Sequence, residues 1–227
     1  MGNLRHEYKY QISLRTADQL QLTLPSLLST DSHAGSSGQY LIRSLYFDDP
    51  AGTAYLDKLS GISQRTKYRI RFYNLDPSYL VLEAKRKQNQ ISKKDSEILS
   101  LAEVECLCRG KTIPADRLSV PLLGEFSALQ RTRGLAPAVI VDYCRTPFVH
   151  PLGNTRITID RDIRSLPYRE EDLFQDRKGF PVLDPGIAIL EVKFDEILPG
   201  FLQSYLSTVP KILCANSKYC SCYAAIH

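Results

Sequence analysis

Lysine and arginine side chains are concentrated in one part of the sequence. Residues 65–95 contain nine Lys or Arg against three acids, although the formal net charge of the 227-residue chain is only +4. Arg69 and Arg71 are two residues apart, which on a β-strand places both guanidinium groups on one face, about 6–7 Å from each other. Guanidinium groups bind phosphate oxygens bidentately. The pattern therefore predicts a site for a chain of phosphates. Three lysines would add to it from neighbouring strands: Lys9, Lys85 and Lys87.

One carboxylate stands out against this basic background. Glu191 lies within the strongly apolar segment IAILEVKF at residues 187–194. Burial of a carboxylate is costly unless it is paired or bound to a cation. A divalent ion that bridges Glu191 to phosphate oxygens would meet that need, and a plain ion pair with a lysine is the alternative. In the same way, Arg69 or Lys85 could pair with an acid, either Glu7, Glu83 or Glu191.

Several other chemistries find no support in the sequence. The four histidines are scattered without the spacing of a triad or a metal site, and no Walker or GxGxxG motif is present. The six cysteines include two Cys-x-Cys pairs, which are too closely spaced for zinc. The small net charge argues against nucleic acid as a partner. A polar N-terminus and the lack of a long apolar run predict a cytoplasmic chain with reduced thiols and no membrane insertion.

Period-two alternation of charged and apolar residues predicts the elements that position these side chains. In residues 67–73, Lys and Arg alternate with Tyr, Ile and Phe, and residues 80–87 repeat the theme. We predict eight strands, over residues 5–12, 39–48, 67–73, 80–87, 90–96, 138–149, 154–160 and 187–194. Helical spacing predicts five helices, over residues 14–29 with Thr16 as N-cap, 50–59, 98–109, 121–134 and 199–208.

The strands taken together predict a barrel. Each strand on its own reads as half of a sheet with its charged face in water. Like charges on adjacent strands repel each other, however, and are tolerated when a polyanion neutralises them. The helices need the apolar strand faces as packing surface. We therefore predict a single α+β domain over residues 1–227, in which an eight-stranded antiparallel β-barrel has a basic bore and flanking helices.

A set of motifs that runs in order along nearly the whole chain resembles the VTC domain family. This family is the polyphosphate polymerase branch of the triphosphate tunnel metalloenzymes, related to the CYTH domains. The motifs are RHEYKY (5–10), SLYFDD (44–49), KYRIRFY (67–73), LEAKRK (82–87), YCRTPF (143–148), RITID (156–160), LEVKF (190–194) and NSKY (216–219).

The resemblance implies an eight-stranded tunnel enzyme, an ATP-dependent transferase that adds the γ-phosphate of ATP to polyphosphate with a divalent metal, Mn²⁺ or Mg²⁺. Glu191 would ligate the metal, and Tyr143 and Ser217 would lie near the terminal phosphates. The resemblance also implies that Lys94 contacts phosphate, although this residue lies outside the motifs named above. The remaining phosphate-binding residues carried over by motif are Lys9, Arg69, Arg71, Lys85, Arg145, Arg156 and Lys218.

Two departures from the family pattern affect the expected function. Hydrolytic relatives begin with ExExK, whereas this chain has Arg5 at the first position and keeps Glu7 and Lys9. The missing carboxylate favours polymerase over hydrolase chemistry. Eukaryotic members also belong to larger membrane complexes, which implies a membrane-associated partner protein. The alternatives are a CYTH-like hydrolase of tripolyphosphate or thiamine triphosphate, and a non-enzymatic module that binds polyphosphate or inositol phosphates.

Overall fold

The alternating segments form long β-strands in the computed structural model, which describes residues 5–89 and 91–227, without the side chains of Arg5, Ser32 and Ile91. The described residues include eight strands of nine to fifteen residues and three strands of two residues each. In chain order they are β1 (Arg5–Ser13), β2 (Ser29–Thr30), β3 (Tyr40–Asp48), β4 (Gln64–Tyr73), β5 (Asp76–Gln88), β6 (Ile91–Leu99), β7 (Ala136–His150), β8 (Thr155–Leu166), β9 (Phe180–Pro181), β10 (Ile187–Asp195) and β11 (Ile212–Leu213).

Six α-helices accompany these strands in the described residues: α1 (Leu14–Thr23), α2 (Thr53–Leu59), α3 (Leu101–Cys108), α4 (Pro121–Arg133), α5 (Gly200–Ser207) and α6 (Lys218–Ala224). The predicted N-cap of α1 was wrong, because Ser13 accepts the hydrogen bond from the Thr16 amide. This helix is also shorter than predicted, since Pro25 lies in a 3₁₀ turn and has no amide hydrogen for a further helical turn. A capping box between Ser100 and Glu103 begins α3.

The strands form an antiparallel sheet with flanking helices, as the sequence predicts. The hydrogen-bonded order is β11-β1-β10-β8-β7-β3-β4-β5-β6, with β2 paired to β7 and β9 to β8. The order has two ends, β11 and β6, in the part of the chain that is described. Closure into an eight-stranded barrel is therefore not confirmed.

The chain divides into two compact units, and β3, β7 and β8 each contribute residues to both. The first unit contains residues 1–41, 143–163 and 181–217, and the second contains residues 42–142, 164–180 and 218–227. The single domain expected over residues 1–227 stays a prediction.

In the first unit, helices cover the apolar face of the sheet. Leu20 of α1 and Leu202 of α5 are buried with Ile157, Leu190 and Val192 of the strands. Burial of such side chains contributes about 1.5–3 kcal/mol each. The opposite face of the same strands carries the charged residues, because side chains alternate between the two faces. The register fixes which of them meet: Lys9 lies opposite Glu191, which lies opposite Thr158.

In the second unit, α3 and α4 cover the apolar face of the sheet. Phe126 of α4 and Leu107 of α3 are buried against Phe47, Ile70 and Leu82 of the strands. The ring of Phe126 meets that of Phe47 edge to face at 4.9 Å. This packing leaves the charged side chains of β4 and β5 on the other face, as the alternation predicts.

A buried ion pair fixes the segment that follows β8 in the second unit. Arg43 is 1% exposed, and its Nε and Nη2 donate to Asp142 at 2.8 and 2.6 Å. Its Nη1 donates to backbone carbonyls, including those of Asp172 and Gln175. The arginine therefore links β3 to several carbonyl groups of this segment.

The described helices include none that is both long enough and apolar enough to cross a membrane.

Candidate functional site

The second unit carries a cationic face on β4, β5 and β6. It includes Lys67, Arg69, Arg71, Lys85, Lys87 and Lys94, and Arg65, which lies opposite Lys87, shares it. The strand register places Lys67 opposite Lys85, and Lys85 opposite Lys94. Like charges that face each other across strands destabilise a sheet by up to about 1 kcal/mol per pair. The arrangement is therefore suited to an anion with several charges that lies across the three strands.

Glu83 is the acidic residue of this face among the described positions of β4, β5 and β6. Its carboxylate is 4% exposed and contacts three of the cations. Arg69 Nε donates to it at 2.6 Å, Lys94 Nζ at 2.8 Å, and Arg71 Nη1 lies 3.9 Å away. Burial opposes ionisation of Glu83, but the charges of Arg69 and Arg71 outweigh it and hold its pKa well below the ordinary value. Glu83 therefore acts as a fixed anchor for the cations around it.

Aromatic side chains contact two of the cations of β4, Arg69 and Lys67. Arg69 Nη1 donates to the Tyr46 hydroxyl at 2.7 Å, and Lys67 Nζ lies 4.9 Å from the centre of the Tyr219 ring. Burial raises the pKa of Tyr46, but the charges of Arg69, Arg71 and Lys67 outweigh it, so the pKa is lowered overall. Burial likewise lowers the pKa of Lys67, which donates to the Cys220 sulfur at 3.4 Å.

Asp48 of the SLYFDD motif has a structural role. Its carboxylate accepts from the amides of Ala54 and Tyr55 at 2.9 and 3.1 Å, at the start of α2, and from the Tyr219 hydroxyl. For Ala54, this supplies a partner to an amide of the first helical turn, whereas the Tyr55 amide also donates to the Gly52 carbonyl. The motif thus ties β3 to α2 and α6 within the second unit.

The first unit carries a mixed-charge cluster rather than a basic one. It consists of Glu7, Lys9, Arg145, Asp160, Glu191 and Lys193. The numbers of cations and acids in it are equal, in contrast to the cationic face. Arg145 is 7% exposed and donates to Asp160 with Nε and Nη2 at 2.6 and 2.7 Å. Although burial disfavours its charge, Asp160 raises the pKa of Arg145 well above its ordinary value.

Glu191 is the centre of this cluster. Its side chain is buried, and its carboxylate lies 3.0 Å from Lys193 Nζ, 3.3 Å from Arg145 Nη2 and 3.9 Å from Lys9 Nζ. The alternative of an ion pair, left open by the sequence, is thus realised in the structure. The sequence also allowed a carboxylate partner for Arg69, which is Glu83.

The donor set around Glu191 fits a hard divalent cation. The Lys9 ammonium group lies between two carboxylates, 3.2 Å from Glu7 and 3.9 Å from Glu191. The two carboxylates thus share one cationic partner. Mg²⁺ in phosphate sites typically takes one or two carboxylates and completes its shell with substrate oxygens and water. The described residues contain no group of three or more His, Cys, Asp or Glu side chains that would bind a metal by themselves.

The predicted site residues other than Ser217 and Lys218 lie on strands of the two units. In the second unit, Arg69, Arg71, Lys85, Lys87 and Lys94 share the cationic face, and Lys218 is the half-buried first residue of α6.

In the first unit, Lys9, Arg145 and Glu191 meet in the mixed-charge cluster, and Tyr143 is buried with its ring 5.3 Å from the Arg145 guanidinium carbon. Arg156 Nη2 donates to Asp31 and to the Tyr40 hydroxyl. Ser217 is half-buried and directly follows Asn216, whose carbonyl accepts from Lys9 Nζ. The predicted role of the Arg5 side chain falls outside the described side chains.

The sequence alone did not assign roles to Tyr46 or Asp160, and it gave Glu83 only as one of three possible partners of Arg69 or Lys85. Tyr46 shares a strand face with Ser44 and Asp48, and Glu83 lies two residues before Lys85, so alternation places both correctly. Their partners come from other strands, 14 residues away in the chain for Glu83 and Arg69 and 15 for Asp160 and Arg145. No local pattern predicts those pairings.

Two solved structures share the fold over nearly the whole chain. A candidate adenylyl cyclase from Hippeastrum, with dominant triphosphatase activity, has a TM-score of 0.56 at 15% identity and covers 96% of this chain and 95% of its own. A candidate adenylate cyclase from Bacillus halodurans has a TM-score of 0.52 at 17% identity and covers 95% and 94%. These identities establish similarity of fold alone, and a search of curated protein sequences found no significant match.

The VTC domain matches residues 4–227, essentially the whole chain, so the family resemblance seen in the motifs is confirmed. The motifs that carry it supply both the cationic face and the mixed-charge cluster. The chain therefore belongs to the VTC domain family.

Proposed function

We propose that this protein is a polyphosphate polymerase, which transfers the γ-phosphate of ATP to the end of a polyphosphate chain within a triphosphate tunnel. The observation that carries the proposal is the cationic face, on which three of the Lys and Arg side chains contact the carboxylate of Glu83. Membership of the VTC domain family supports the same assignment. A linear polyphosphate has a charge on every phosphate, and so matches cations that repeat along and across strands.

The chemistry that we propose relies on positioning and on neutralisation of charge. Phosphoryl transfer passes through a loose transition state with charge on the equatorial oxygens, so fixed cations lower its energy. Arg69 and Arg71 would hold the donor triphosphate, and Glu83 would keep their guanidinium groups in place. A terminal oxygen of the acceptor chain would attack the γ-phosphorus, and ADP would leave. No nucleophile from the protein is needed.

A divalent cation, Mn²⁺ or Mg²⁺, would be held by Glu191 together with Glu7. When bound, it would neutralise negative charge on phosphate oxygens. Lys9, which contacts both carboxylates, and Lys193, which contacts Glu191, would turn towards phosphate. Arg145 is held by Asp160 and would present a fixed positive charge there. A membrane-associated partner protein and a cytoplasmic location belong to this proposal as well.

A triphosphate hydrolase is the second candidate. The observation that favours it is the shared fold with the Hippeastrum protein, in which triphosphatase activity is dominant. Hydrolysis would use the same cations, with water in place of the acceptor chain. The sequence argument against it is Arg5, which stands where hydrolytic relatives have a carboxylate.

One assay separates the candidates. The purified chain is incubated with ATP, Mn²⁺ and a short polyphosphate primer, and the products are resolved on a gel. We expect the primer to lengthen, and Arg69→Ala to lower the rate by about 100-fold or more. Arg109→Ala is the matched control, because Arg109 pairs with Glu170 at the surface of the second unit, away from the cationic face.

Other outcomes of this assay would contradict the proposal. Release of orthophosphate from tripolyphosphate without any polymer would identify a hydrolase. Tight binding of tripolyphosphate without turnover would identify a binding module. Equal rates for Arg69→Ala and the wild type would show that the cationic face is not the active site.

A further inference from the structure

Strand β8 carries four buried polar atoms that lack partners in the described part of the chain. Two of them belong to Arg161, and the other two are Thr158 Oγ1 and Arg156 Nε. Thr158 is 2% exposed, and its Oγ1 has no hydrogen-bond partner. Arg156 Nε is likewise buried and unsatisfied, although the Nη2 of the same side chain donates to Asp31 and Tyr40. The two residues are two positions apart, so both side chains lie on the polar face of the strand.

This pair of atoms lies beside the mixed-charge cluster. Thr158 is directly opposite Glu191 in the strand register, and Arg156 is opposite Lys193. Directly opposed residues of antiparallel strands have Cβ atoms about 4.5–5.5 Å apart. Asp160, the next residue on the same face, holds Arg145. The two acidic neighbours of Thr158 in the sheet, Glu191 and Asp160, thus already contact cationic partners.

Most buried polar atoms in proteins have a hydrogen-bond partner, and one without a partner lowers stability. Valine has nearly the shape of threonine and would avoid this loss of stability. Packing therefore does not explain the hydroxyl group of Thr158. Arg156 Nε can only donate, and the Thr158 hydroxyl can both donate and accept. A ligand that serves both must supply acceptor atoms. Phosphate oxygens are such acceptors and carry the charge that Arg156 prefers.

We propose that Thr158 Oγ1 and Arg156 Nε donate hydrogen bonds to phosphate oxygens of one bound polyphosphate. Thr158 is thus a phosphate-contact residue, and the proposal rests on the phosphate binding that forms part of the proposed function. The apo protein carries an unsatisfied hydroxyl, and the bound ligand satisfies it. Stability without ligand and affinity for ligand are therefore expected to respond in opposite directions when the hydroxyl is removed.

The test compares Thr158→Val with wild type in two measurements. Without ligand, we expect its Tm to be equal or higher. In buffer with EDTA, we expect calorimetry to show about tenfold weaker binding of tripolyphosphate, since a hydrogen bond to a charged group is lost. Thr158→Ser keeps the hydroxyl and should bind as wild type does.

Thr155→Val is the matched control on the same strand. The Thr155 side chain is also buried, but its Oγ1 donates to the Leu152 carbonyl at 2.9 Å. We expect this variant to lose stability and to keep the wild-type affinity for tripolyphosphate.

Each remaining outcome would overturn the inference. Equal affinity of Thr158→Val and wild type would show that the hydroxyl is satisfied by buried water. A defect that appears only when Mn²⁺ is added would make Thr158 a metal ligand instead of a phosphate contact. Failure of the wild type itself to bind tripolyphosphate would overturn both this inference and the proposed function, whereas a defect confined to Thr158→Val leaves the function intact.

Discussion

Single side chains decide how the cations of the second unit are held. Glu83 contacts Arg69, Arg71 and Lys94, and its position between them compensates part of their mutual repulsion. A carboxylate whose pKa is lowered in the folded state binds its proton less readily there than in the unfolded chain. Its contribution to stability is therefore present above the unfolded pKa and is lost as the pH falls through the folded value.

We expect Glu83→Gln to lower the free energy of unfolding at pH 7 by about 1.5–3 kcal/mol, because charge-assisted hydrogen bonds are lost. The difference from wild type should shrink as the pH falls below the ordinary glutamate value of about 4.5. Urea denaturation of both proteins between neutral and acidic pH measures this. A difference that stays constant with pH would show that packing, not charge, is responsible.

At the scale of the strand, adjacent residues can differ in function because their side chains lie on opposite faces. Lys93 and Lys94 are adjacent on β6 and are both well exposed, but they lie on opposite faces. Lys94 contacts Glu83 on the cationic face, whereas Lys93 contacts Asp95 at 3.0 Å on the other. The two positions therefore form a natural pair for testing which face binds the ligand.

We expect Lys94→Gln to weaken the binding of tripolyphosphate about fivefold, equivalent to roughly 1 kcal/mol. Lys93→Gln removes the same charge from the next residue and should leave the affinity within error. Isothermal titration calorimetry of the two variants under identical conditions provides the comparison. If both variants weaken binding equally, the general charge of the protein attracts the ligand, and the cationic face has no special part in it.

For the molecule as a whole, the binding of a polyanion depends more on the distribution of charge than on the net charge. The formal net charge is +4, yet the first unit holds a balanced cluster and the second a strongly cationic face. A polyanion that is held by several cations releases counterions, so the logarithm of its binding constant falls linearly with the logarithm of the salt concentration.

We expect the affinity for tripolyphosphate to fall steeply with salt despite the small net charge. The magnitude of the slope should decrease by about one for each contacting cation that is removed, as in Lys85→Gln. Titrations at a series of NaCl concentrations give the slope. An unchanged slope in Lys85→Gln would mean that this residue does not contact the ligand.

Much of the fold follows from local sequence. The eight long strands match the predicted segments, because alternation is a property of neighbouring residues. The two-residue strands β2, β9 and β11 and the helix α6 were not predicted. Pairs of residues carry too little pattern to identify a strand. The segment of α6, KYCSCYA, begins with Lys218 and lacks clear helical spacing.

The sequence by itself determined the strands, the face on which each cation lies and the family. The alternation of side chains and the order of the motifs are both properties of the amino-acid sequence. Only the tertiary structure decided that Glu83 anchors three cations, that Arg145 is held by Asp160, and that Glu191 is surrounded by ammonium and guanidinium groups. These contacts join residues from different strands, and their distances depend on register. The same is true of the unsatisfied hydroxyl of Thr158, since a missing partner is visible only when every neighbour is in place.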